Sequence, residues 1–527
     1  WDWVDQNIRA TRTEDGTYKA APVTGEALAF GGMFGDNPND ANFCDNGVIV
    51  SERQVTPKLL EVKKVYQYLR FKDLTPDDPK TFTLELTSKY FHKTIRDYTV
   101  AAIFTGGQNG ADNERTVLTR KIASLTPGEK TVLTFDMPEV PPSRRDEISE
   151  WKKGMLFLVF PSEADSLVQY KIVEKEADPV ELLKNCNVEE ARKYAVAWEA
   201  FDLPVSTRKY GPFPEVKNNT RLEVAGEGRN ITVVGRDFKD QHIDDRLETV
   251  PKGDVFSVKF VNGCLASVVW LGHECIRKGP ELNFARAAVD NDKWLKAYND
   301  NVMNGESRIE CRDFKVDRSN DREVVVDTEL YCRKGNYGFT VKTKWTIYDH
   351  GYIRSENAIT PDFASAPISC LGFVFELPGD FDQISYIGQG PQENYIDRRT
   401  ATWFDTFHTS VKGMFTKYSK TQHYGNRTGV SQVILDNYGK EDFSTLFFRC
   451  ENNEKGMEFT ATQWTQKEIA DAKTPDRLPP SDKTVLELDI FQAPLGGNSC
   501  GPVPLEQYIT RADRGTTFKL DYVIIPR

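Results

Sequence analysis

The sequence predicts a mainly β fold, in which an immunoglobulin-like β-sandwich is followed by a large β-sandwich. From Tyr68 to about Leu203, apolar residues alternate with polar ones at a period of two, which is typical of antiparallel strands with one buried face. From about Glu215 to Arg527 the chain is again rich in strand-like segments, which are separated by long loops. The 31 Phe, 20 Tyr and 9 Trp supply enough aromatic mass for more than one core.

Length and charge limit the organisation and the partners of the chain. The 527 residues suggest about three domains. Lys and Arg total 68 and Asp and Glu total 79, so the net charge of −11 argues against nucleic acid and anionic membranes as main partners. The longest apolar runs, such as 154–160 (GMLFLVF), are far shorter than the ~20 residues of a membrane span.

The first part of the chain is irregular and then helical. Residues 1–50 are rich in Gly, Asn and Asp, and 31–40 form a turn-rich loop. Thr56 as N-cap and Pro57 at the first helical position predict a short helix over 58–67. Two Trp alternating with Asp at 1–3 predict a strand inside a folded domain rather than a signal peptide, so we expect the chain to begin within a domain.

A helix-like stretch and a proline-rich segment predict the domain boundaries. An acidic helix-like stretch at 178–193 interrupts the first run of strands, and 204–214, with three Pro and a Gly, is typical of a linker. We therefore expect domains over 1–67, 68–205 and 206–527. The nine Cys are widely spaced and contain no C-x-x-C pair, which favours buried thiols over a zinc ribbon or a disulfide framework.

Three loops carry residue types that suit sugar binding, because sugars present apolar C–H faces to aromatic rings and hydroxyls to carboxylates and amides. The first combines 1–6 with Phe43 and Asn46. Alternatively, Trp1 and Trp3 are core aromatics, and Asn46 is a turn residue before Gly47. The second is 388–398; its alternative interpretation is a buried polar network that holds a loop in place. The third is 285–292, a polar turn that ordinary loop chemistry also explains.

Taken together, these stretches resemble the carboxy-terminal half of a large β-galactosidase of glycoside hydrolase family 2. The segments that carry the resemblance are, in chain order, 1–6 (WDWVDQ), 31–47 (GGMFGDNPNDANFCDNG), 56–70 (TPKLLEVKKVYQYLR), 285–292 (ARAAVDND), 388–398 (GQGPQENYIDR), 424–428 (YGNRT) and 495–500 (LGGNSC). Each match is short, but the set is ordered and covers nearly the whole chain. The resemblance implies the end of a TIM barrel, an immunoglobulin-like domain and a large galactose-mutarotase-like sandwich.

The resemblance also implies roles for individual residues. Trp1 resembles the Trp that stacks on the galactose unit. The Phe43 carbonyl and the Asn46 side chain resemble two ligands of a Na⁺ ion beside the galactose, whose third ligand would lie upstream. Cys500 stands where the family brings an aromatic residue into the aglycone site, which predicts altered handling of the leaving group. The loop 285–292 resembles a mobile loop that packs over Phe43.

In this family the two catalytic Glu and the Mg²⁺ ligands come from earlier barrel strands. The resemblance therefore implies a chain that binds β-galactosides, is inactive alone, and has the N-terminal half of the same enzyme as its partner. The sequence does not decide whether the chain forms a homo-oligomer, or whether it is located in the cytoplasm or the periplasm. The alternatives are a non-catalytic complementing subunit or carbohydrate-binding module, and activity on a β-linked glucuronide or mannoside, which the 388–398 motif disfavours. Without barrel partners, we expect 1–67 to be loosely packed and mobile.

Overall fold

The structure is a computed structural model that describes residues 2–76, 80–105, 116–137, 154–165, 177–203, 220–243, 246–439, 443–451 and 455–527. For 239–243 and 246–251 it describes the backbone alone. Trp1 and the predicted linker at 204–214 lie outside these ranges. Among the described helices, none has the length and apolar character needed to cross a membrane.

Residues 2–67 form a small sheet and one helix. Their elements are β1 (Ile8–Arg12), β2 (Tyr18–Ala20), β3 (Ala27–Ala29) and α1 (Pro57–Val65). The antiparallel sheet has the order β2-β1-β3. The predicted helix is confirmed, although it ends at Val65: Thr56 Oγ1 accepts a hydrogen bond from the Leu59 N–H at 3.2 Å, and Pro57 begins the first turn, where no N–H is needed.

The first residues of the chain differ from their prediction. No strand forms over the described residues 2–7, where Val4 makes only an isolated parallel bridge to Ile49. Trp3 is 59% exposed, so the alternative that it is a core aromatic is wrong. The buried side chains of this segment form a small cluster, made of Ala10, Tyr18, Ala27 and Ala29. Leu28, Ile49 and Val50 are also buried, and the predicted loose packing and mobility of the segment stay predictions.

The next part of the chain is a sandwich of two sheets, as predicted. Its elements are β4 (Leu69–Asp73), β5 (Thr81–Ser88), β6 (Ile95–Thr105), β7 (Val117–Leu125), β8 (Lys130–Asp136), β9 (Gly154–Phe160), α2 (Pro179–Lys184), α3 (Val188–Tyr194) and β10 (Ala197–Asp202). The sheets are β4-β5-β8 and β10-β9-β6-β7, and all described pairings are antiparallel. Phe157 lies 5.0 Å from Phe82 and 5.2 Å from Phe135, ring centre to ring centre, so one aromatic cluster joins the two sheets.

The acidic stretch at 178–193 is helical, as predicted, but it forms two short helices. Asp178 caps α2 by accepting a hydrogen bond from the Val180 N–H at 2.9 Å. Cys186, between the helices, has a φ of +58°, a left-handed conformation that a continuous helix cannot contain.

The rest of the chain is the large sandwich. Its elements are β11 (Thr220–Glu227), β12 (Asn230–Ile243), β13 (Arg246–Val261), β14 (Cys264–Trp270), β15 (His273–Ile276), β16 (Lys278–Asn283), α4 (Lys296–Asn304), β17 (Ser307–Asn320), β18 (Glu323–Lys334), β19 (Tyr337–Tyr348), β20 (Ile353–Pro361), β21 (Ala366–Pro367), β22 (Cys370–Pro378), β23 (Gln383–Gly390), β24 (Trp403–Ser410), β25 (Arg427–Val430), β26 (Gln432–Asp436), β27 (Thr445–Cys450), β28 (Met457–Thr462), α5 (Gln466–Ala472), β29 (Lys483–Gln492), β30 (Arg511–Ala512), β31 (Phe518–Lys519) and β32 (Tyr522–Pro526).

Three of its sheets contain five or more strands. They have the orders β11-β12-β13-β14-β15, β16-β22-β29-β28-β25 and β17-β18-β19-β20-β32-β27-β26-β23-β24, with β31 also paired to β20. The buried aromatic side chains join the second sheet to the third, because Phe375 of β22 lies 5.0 Å from Phe448 of β27 and 5.9 Å from Tyr522 of β32. The predicted loops 285–292, 388–398 and 495–500 follow β16, β23 and β29 of these two sheets, in that order.

Helix α1 connects the first segment to both sandwiches. The Glu61 carboxylate accepts hydrogen bonds from the backbone N–H groups of Thr400 and Ala401, at 2.6 and 2.9 Å. The buried Lys64 ammonium donates to the Trp198 carbonyl and pairs with Glu199 at 3.0 Å. These contacts fix α1 against both sandwiches.

Candidate functional site

The loops singled out in the sequence meet in one cleft of about 490 Å³. Six residues from the predicted loops line this cleft: Phe43, Asn46, Asp290, Glu393, Arg398 and Cys500. These residues are up to 457 positions apart in the sequence (500 − 43), so the tertiary fold brings them together. Trp1 lies outside the described residues, and its place beside a sugar stays a prediction.

Phe43 and Asn46, predicted to bind a sodium ion, are in direct contact. The Asn46 side chain donates a hydrogen bond from Nδ2 to the Phe43 carbonyl, and the Phe43 side chain is 56% exposed. A half-turn of the amide brings Oδ1 beside the same carbonyl, which gives two oxygen ligands of the kind that hard cations prefer. The two groups therefore fit a partial sodium site. Within the described residues, no group of three or more His, Cys, Asp or Glu side chains is placed to hold a metal ion.

Gly47 fixes the position of this loop by a close backbone approach. A Cβ atom at Gly47 would lie 2.2 Å from the Asp5 nitrogen, so only glycine fits. The Gly47 N–H donates to Asp5 Oδ1 at 2.6 Å, and the Lys58 ammonium donates to the Gly47 carbonyl. Burial raises the pKa of Asp5 and lowers the pKa of Lys58, because each charge is removed from water. Asn46 lies in the irregular segment that follows the turn at 41–44, and it lines the cleft.

Asp45 connects the same loop to the large sandwich. Its carboxylate accepts a hydrogen bond from Asn7 Nδ2 at 2.6 Å and another from the Ser419 hydroxyl. Burial raises its pKa, and the hydrogen bonds from Ser419 and Asn7 oppose that shift. The carboxylate is thus occupied in holding two chain segments together.

The loop 285–292 is fixed at its base by one buried ion pair. Arg286 donates from Nε and Nη2 to the two oxygens of Asp292, at 3.1 and 2.7 Å. The same guanidinium donates to the carbonyls of Ala493 and Pro494, at 2.6 and 2.9 Å. At the tip, Asp290 accepts a hydrogen bond at 2.7 Å from Asn42, the residue next to Phe43. The loop therefore contacts the residue next to Phe43, and its packing over Phe43 and its mobility stay predictions.

The loop 495–500 is held from two sides. The Asp397 carboxylate accepts from the backbone N–H groups of Leu495, at 3.0 Å, and Gly496, at 2.7 Å. Asn291 Nδ2 donates to the Leu495 carbonyl at 2.7 Å, and the Lys293 ammonium donates to the Ser499 carbonyl at 2.8 Å. Cys500 follows this support and is exposed at the edge of the cleft.

The motif 388–398 forms the buried polar network that was its alternative interpretation. Glu393 is 4% exposed and pairs with Arg398. Its carboxylate also accepts hydrogen bonds from the Tyr418 hydroxyl, at 3.0 Å, and the Gly425 N–H, at 2.7 Å. A buried carboxylate with this many donors is a structural anchor, although one side of it faces the cleft.

The neighbouring residues extend the network. Asn394 is fully buried; its Oδ1 accepts from the Thr428 hydroxyl at 2.6 Å, and its Nδ2 donates to the Gln392 carbonyl at 3.0 Å. The Tyr395 hydroxyl and His423 Nδ1 share a hydrogen bond of 2.7 Å. Burial lowers the pKa of His423 well below its usual range, so the neutral ring is favoured.

Sequence reasoning missed several residues that line the cleft, among them Lys58, Tyr418 and His423. Lys58 lies in a predicted helix, but the sequence does not reveal what that helix packs against. Tyr418 and His423 lie in an irregular stretch, where no period relates residue spacing to a common face. One signal is present in the sequence, since 424–428 resembles the same family as the other loops.

Two families match the chain. The model described as "Glycosyl hydrolases family 2, TIM barrel domain" matches residues 1–71, and the model described as "Beta galactosidase small chain" matches residues 252–524, which is more than half of the chain. The second match covers the sheets and loops that form most of the cleft.

Curated relatives match along nearly the whole chain. A β-galactosidase of Priestia megaterium is 27% identical over 510 residues, which is 94% of this chain and 42% of the relative. A β-galactosidase of Halalkalibacterium halodurans is 26% identical over 529 residues, which is 99% of this chain and 45% of the relative. The chain thus spans less than half the length of these relatives. Among solved structures, a galactose 1-epimerase from Lactobacillus acidophilus shares 10% sequence identity with this chain. The match covers 56% of this chain and 99% of the epimerase chain, at a TM-score of 0.25.

Proposed function

We propose, from the premise that this chain belongs to the β-galactosidase small chain family, that it is the carboxy-terminal part of a retaining β-galactosidase. Such an enzyme hydrolyses terminal, non-reducing β-D-galactose residues. In this proposal the chain supplies substrate-binding and structural parts, and the two catalytic Glu belong to barrel strands outside it. The observation that supports it best is that the loop with Phe43 and Asn46 meets the loop with Cys500 in one cleft.

The state of the cleft carboxylates favours a binding role. In retaining hydrolysis, one carboxylic acid protonates the leaving group while a carboxylate about 5–5.5 Å away attacks the sugar. Both groups must be free to approach the substrate. Glu393, Asp45 and Asp290 each accept hydrogen bonds from two or more protein groups, so they are fixed in structural contacts.

Each predicted site residue would then have a specific role. The Phe43 carbonyl and the Asn46 side chain would hold Na⁺, which supplies a positive charge that orients a sugar hydroxyl. Trp1 would stack on the galactose ring. The loop that ends at Cys500 would border the leaving group, and the loops of the large sandwich would exclude water. The Mg²⁺ ligands, like the two Glu, would come from the barrel.

Complementation tests this proposal directly. We expect the purified chain alone to give no turnover of nitrophenyl-β-galactoside, and we expect turnover when it is combined with a separately produced barrel-containing half of a relative. In the combined enzyme, Asn46→Ala should raise KM by about tenfold or more, since one lost charge-assisted contact costs about 1.5–3 kcal/mol. Asn336→Ala, at an exposed position outside the cleft, is the matched control.

A second candidate function is a non-catalytic subunit that binds carbohydrate by itself. The supporting observation is that the large sandwich alone matches a family described as a small chain. Calorimetry with galactose and lactose distinguishes the two candidates. Saturable binding by the chain alone, with no hydrolysis after the barrel half is added, would favour the second; turnover on complementation would favour the first.

A further inference from the structure

A second cavity, of about 330 Å³, shares the lining residue Glu393 with the cleft. Three parts of the chain contribute to its wall. The loop before α1 and its first turn supply Thr56 and Pro57, α3 supplies Glu189, and the large sandwich supplies most of the remainder. A ligand here would contact the first segment and both sandwiches at once.

Arg427 brings an incompletely paired positive charge to this cavity. The residue is 5% exposed; its Nε donates to the Tyr386 hydroxyl at 3.1 Å and its Nη1 donates to the Gly425 carbonyl at 2.9 Å. Within the described part of the chain, no carboxylate lies within 4 Å of the guanidinium, and Nη2 makes no hydrogen bond. Burying a charge without a counter-charge is costly, so a partner from solution would stabilise it.

Gln392 supplies a second unused donor. Its Oε1 accepts a hydrogen bond from Arg192 at 2.9 Å, which determines the orientation of the amide. The Nε2 group therefore faces the other way, where it is buried and has no partner among the described residues. Arg427 and Gln392 both line the cavity, and the group of each that has no partner among the described residues, Arg427 Nη2 and Gln392 Nε2, is a donor.

The other charges nearby do not satisfy these donors. The Glu393 carboxylate is already held by Arg398, Tyr418 and the Gly425 N–H. Glu189 is an exposed residue at the α3 side of the wall. Lys417, which pairs with Glu52 at 3.7 Å, also lines the cavity, and so does Pro57 at the positive end of the α1 dipole.

We propose that this cavity binds one small oxyanion, a carboxylate or a tetrahedral phosphate or sulfate group, through Arg427 and Gln392. A guanidinium presents its N–H groups in a planar fork that matches such oxygens. The bound anion would connect the loop before α1, the α3 side and the large sandwich. Its binding would therefore stabilise the junction at which the three parts meet.

Isothermal titration calorimetry of the full chain with phosphate, sulfate and acetate, in chloride buffer at constant ionic strength and pH 7, tests the proposal. We expect one saturable site per chain. Gln392→Glu keeps the acceptor for Arg192 but replaces the free donor with a negative charge, so it should abolish binding without unfolding the chain. Arg427→Lys keeps the charge but loses the fork, and should weaken binding by about tenfold or more.

Lys412→Gln is the matched control, because Lys412 is exposed in the same turn as the cavity residues 413–417 but does not line the cavity. Its affinity should equal that of the unmodified chain. Saturation by phosphate and sulfate identifies a tetrahedral anion, and saturation by acetate identifies a carboxylate; both support the proposal. Heats of dilution alone for all three anions, or an affinity that Gln392→Glu leaves unchanged, would overturn it.

Discussion

The Arg286 guanidinium and the Asp292 carboxylate form a two-pronged ion pair in which both side chains are almost wholly buried, with exposed fractions of 0% and 1%. The pair closes the loop 285–292, and the guanidinium also binds the Ala493 and Pro494 carbonyls. One salt bridge therefore holds the bases of two loops that line the cleft.

Asp292→Asn should destabilise the large sandwich strongly. The variant leaves the Arg286 charge buried without a counter-charge, a loss that typically costs about 3–5 kcal/mol. Urea unfolding of both proteins measures the difference in free energy. Asp471→Asn is the control, since it removes the exposed pair with Lys467 and should change stability little. Equal midpoints for Asp292→Asn and the unmodified chain would contradict the structural role of the pair.

Glu458, on β28, should make stability depend on pH. Burial raises its pKa from 4.5 to about 7, and a hydrogen bond from Asn426 at 2.7 Å only partly opposes this shift. The folded state therefore binds this proton more tightly than the unfolded state does. The resulting stabilisation is complete below pH 4.5 and is lost as the pH rises through 7, by roughly 3 kcal/mol.

Glu458→Gln removes this contribution. Urea midpoints at pH 5 and pH 8 should differ less in the variant than in the unmodified chain, while Glu227→Gln, on an exposed strand end, should leave the difference unchanged. Burial also raises the pKa of Glu487 and Asp489, so part of the pH dependence should persist in Glu458→Gln. An identical pH dependence in Glu458→Gln would show that its proton is not linked to folding.

Cys500 should be the fastest-reacting thiol of the native chain. All nine Cys lie in the described residues, and Cys500 alone among them is exposed. Burial raises the pKa of Cys44 and Cys264 to about 11, which lowers the fraction of reactive thiolate. A disulfide reagent such as Ellman's should show one fast phase per chain, and Cys500→Ser should abolish it. Loss of the fast phase in Cys186→Ser instead would identify a different thiol.

Gly47→Ala should disrupt the loop that carries Phe43 and Asn46. The added methyl group would meet the Asp5 nitrogen at 2.2 Å, and this neighbour is backbone that cannot rotate away. We expect faster limited proteolysis within 2–56 and a normal melting transition for the large sandwich. Gly501→Ala, where a Cβ meets nothing within 4 Å, is the matched control and should digest like the unmodified chain.

The sequence predicted the strands better than the contacts between loops. The alternation of β5 follows directly from the period of a half-buried strand, so the spacing of Phe82, Leu84 and Leu86 is sufficient to place them on one face. Thr56 and Pro57 predicted the start of α1 because capping is local chemistry. The exposure of Trp3 was harder to predict, because the burial of a side chain depends on what packs against it and not on its neighbours in the chain.

In the site as well, local features could be predicted from the sequence, and long-range contacts could not. The segments containing Phe43, Asn46 and Cys500 could be named from residue type and family resemblance. Their support could not, because Asp397 contacts Leu495 and Gly496 across about one hundred positions (495 − 397), and residue spacing gives no measure of such distances. Arg427 belongs to a motif that the resemblance includes, but its unpaired Nη2 becomes apparent only when every neighbour is placed.

Helix α1 limits where insertions and deletions can be tolerated during evolution. Glu61 contacts the large sandwich and Lys64 contacts the immunoglobulin-like one, from positions three residues apart in the same helix. One extra residue between them would rotate one side chain by about 100° around the helix axis relative to the other. Homologous sequences should therefore vary in length before 57 or after 65, and the spacing between these two positions should remain constant.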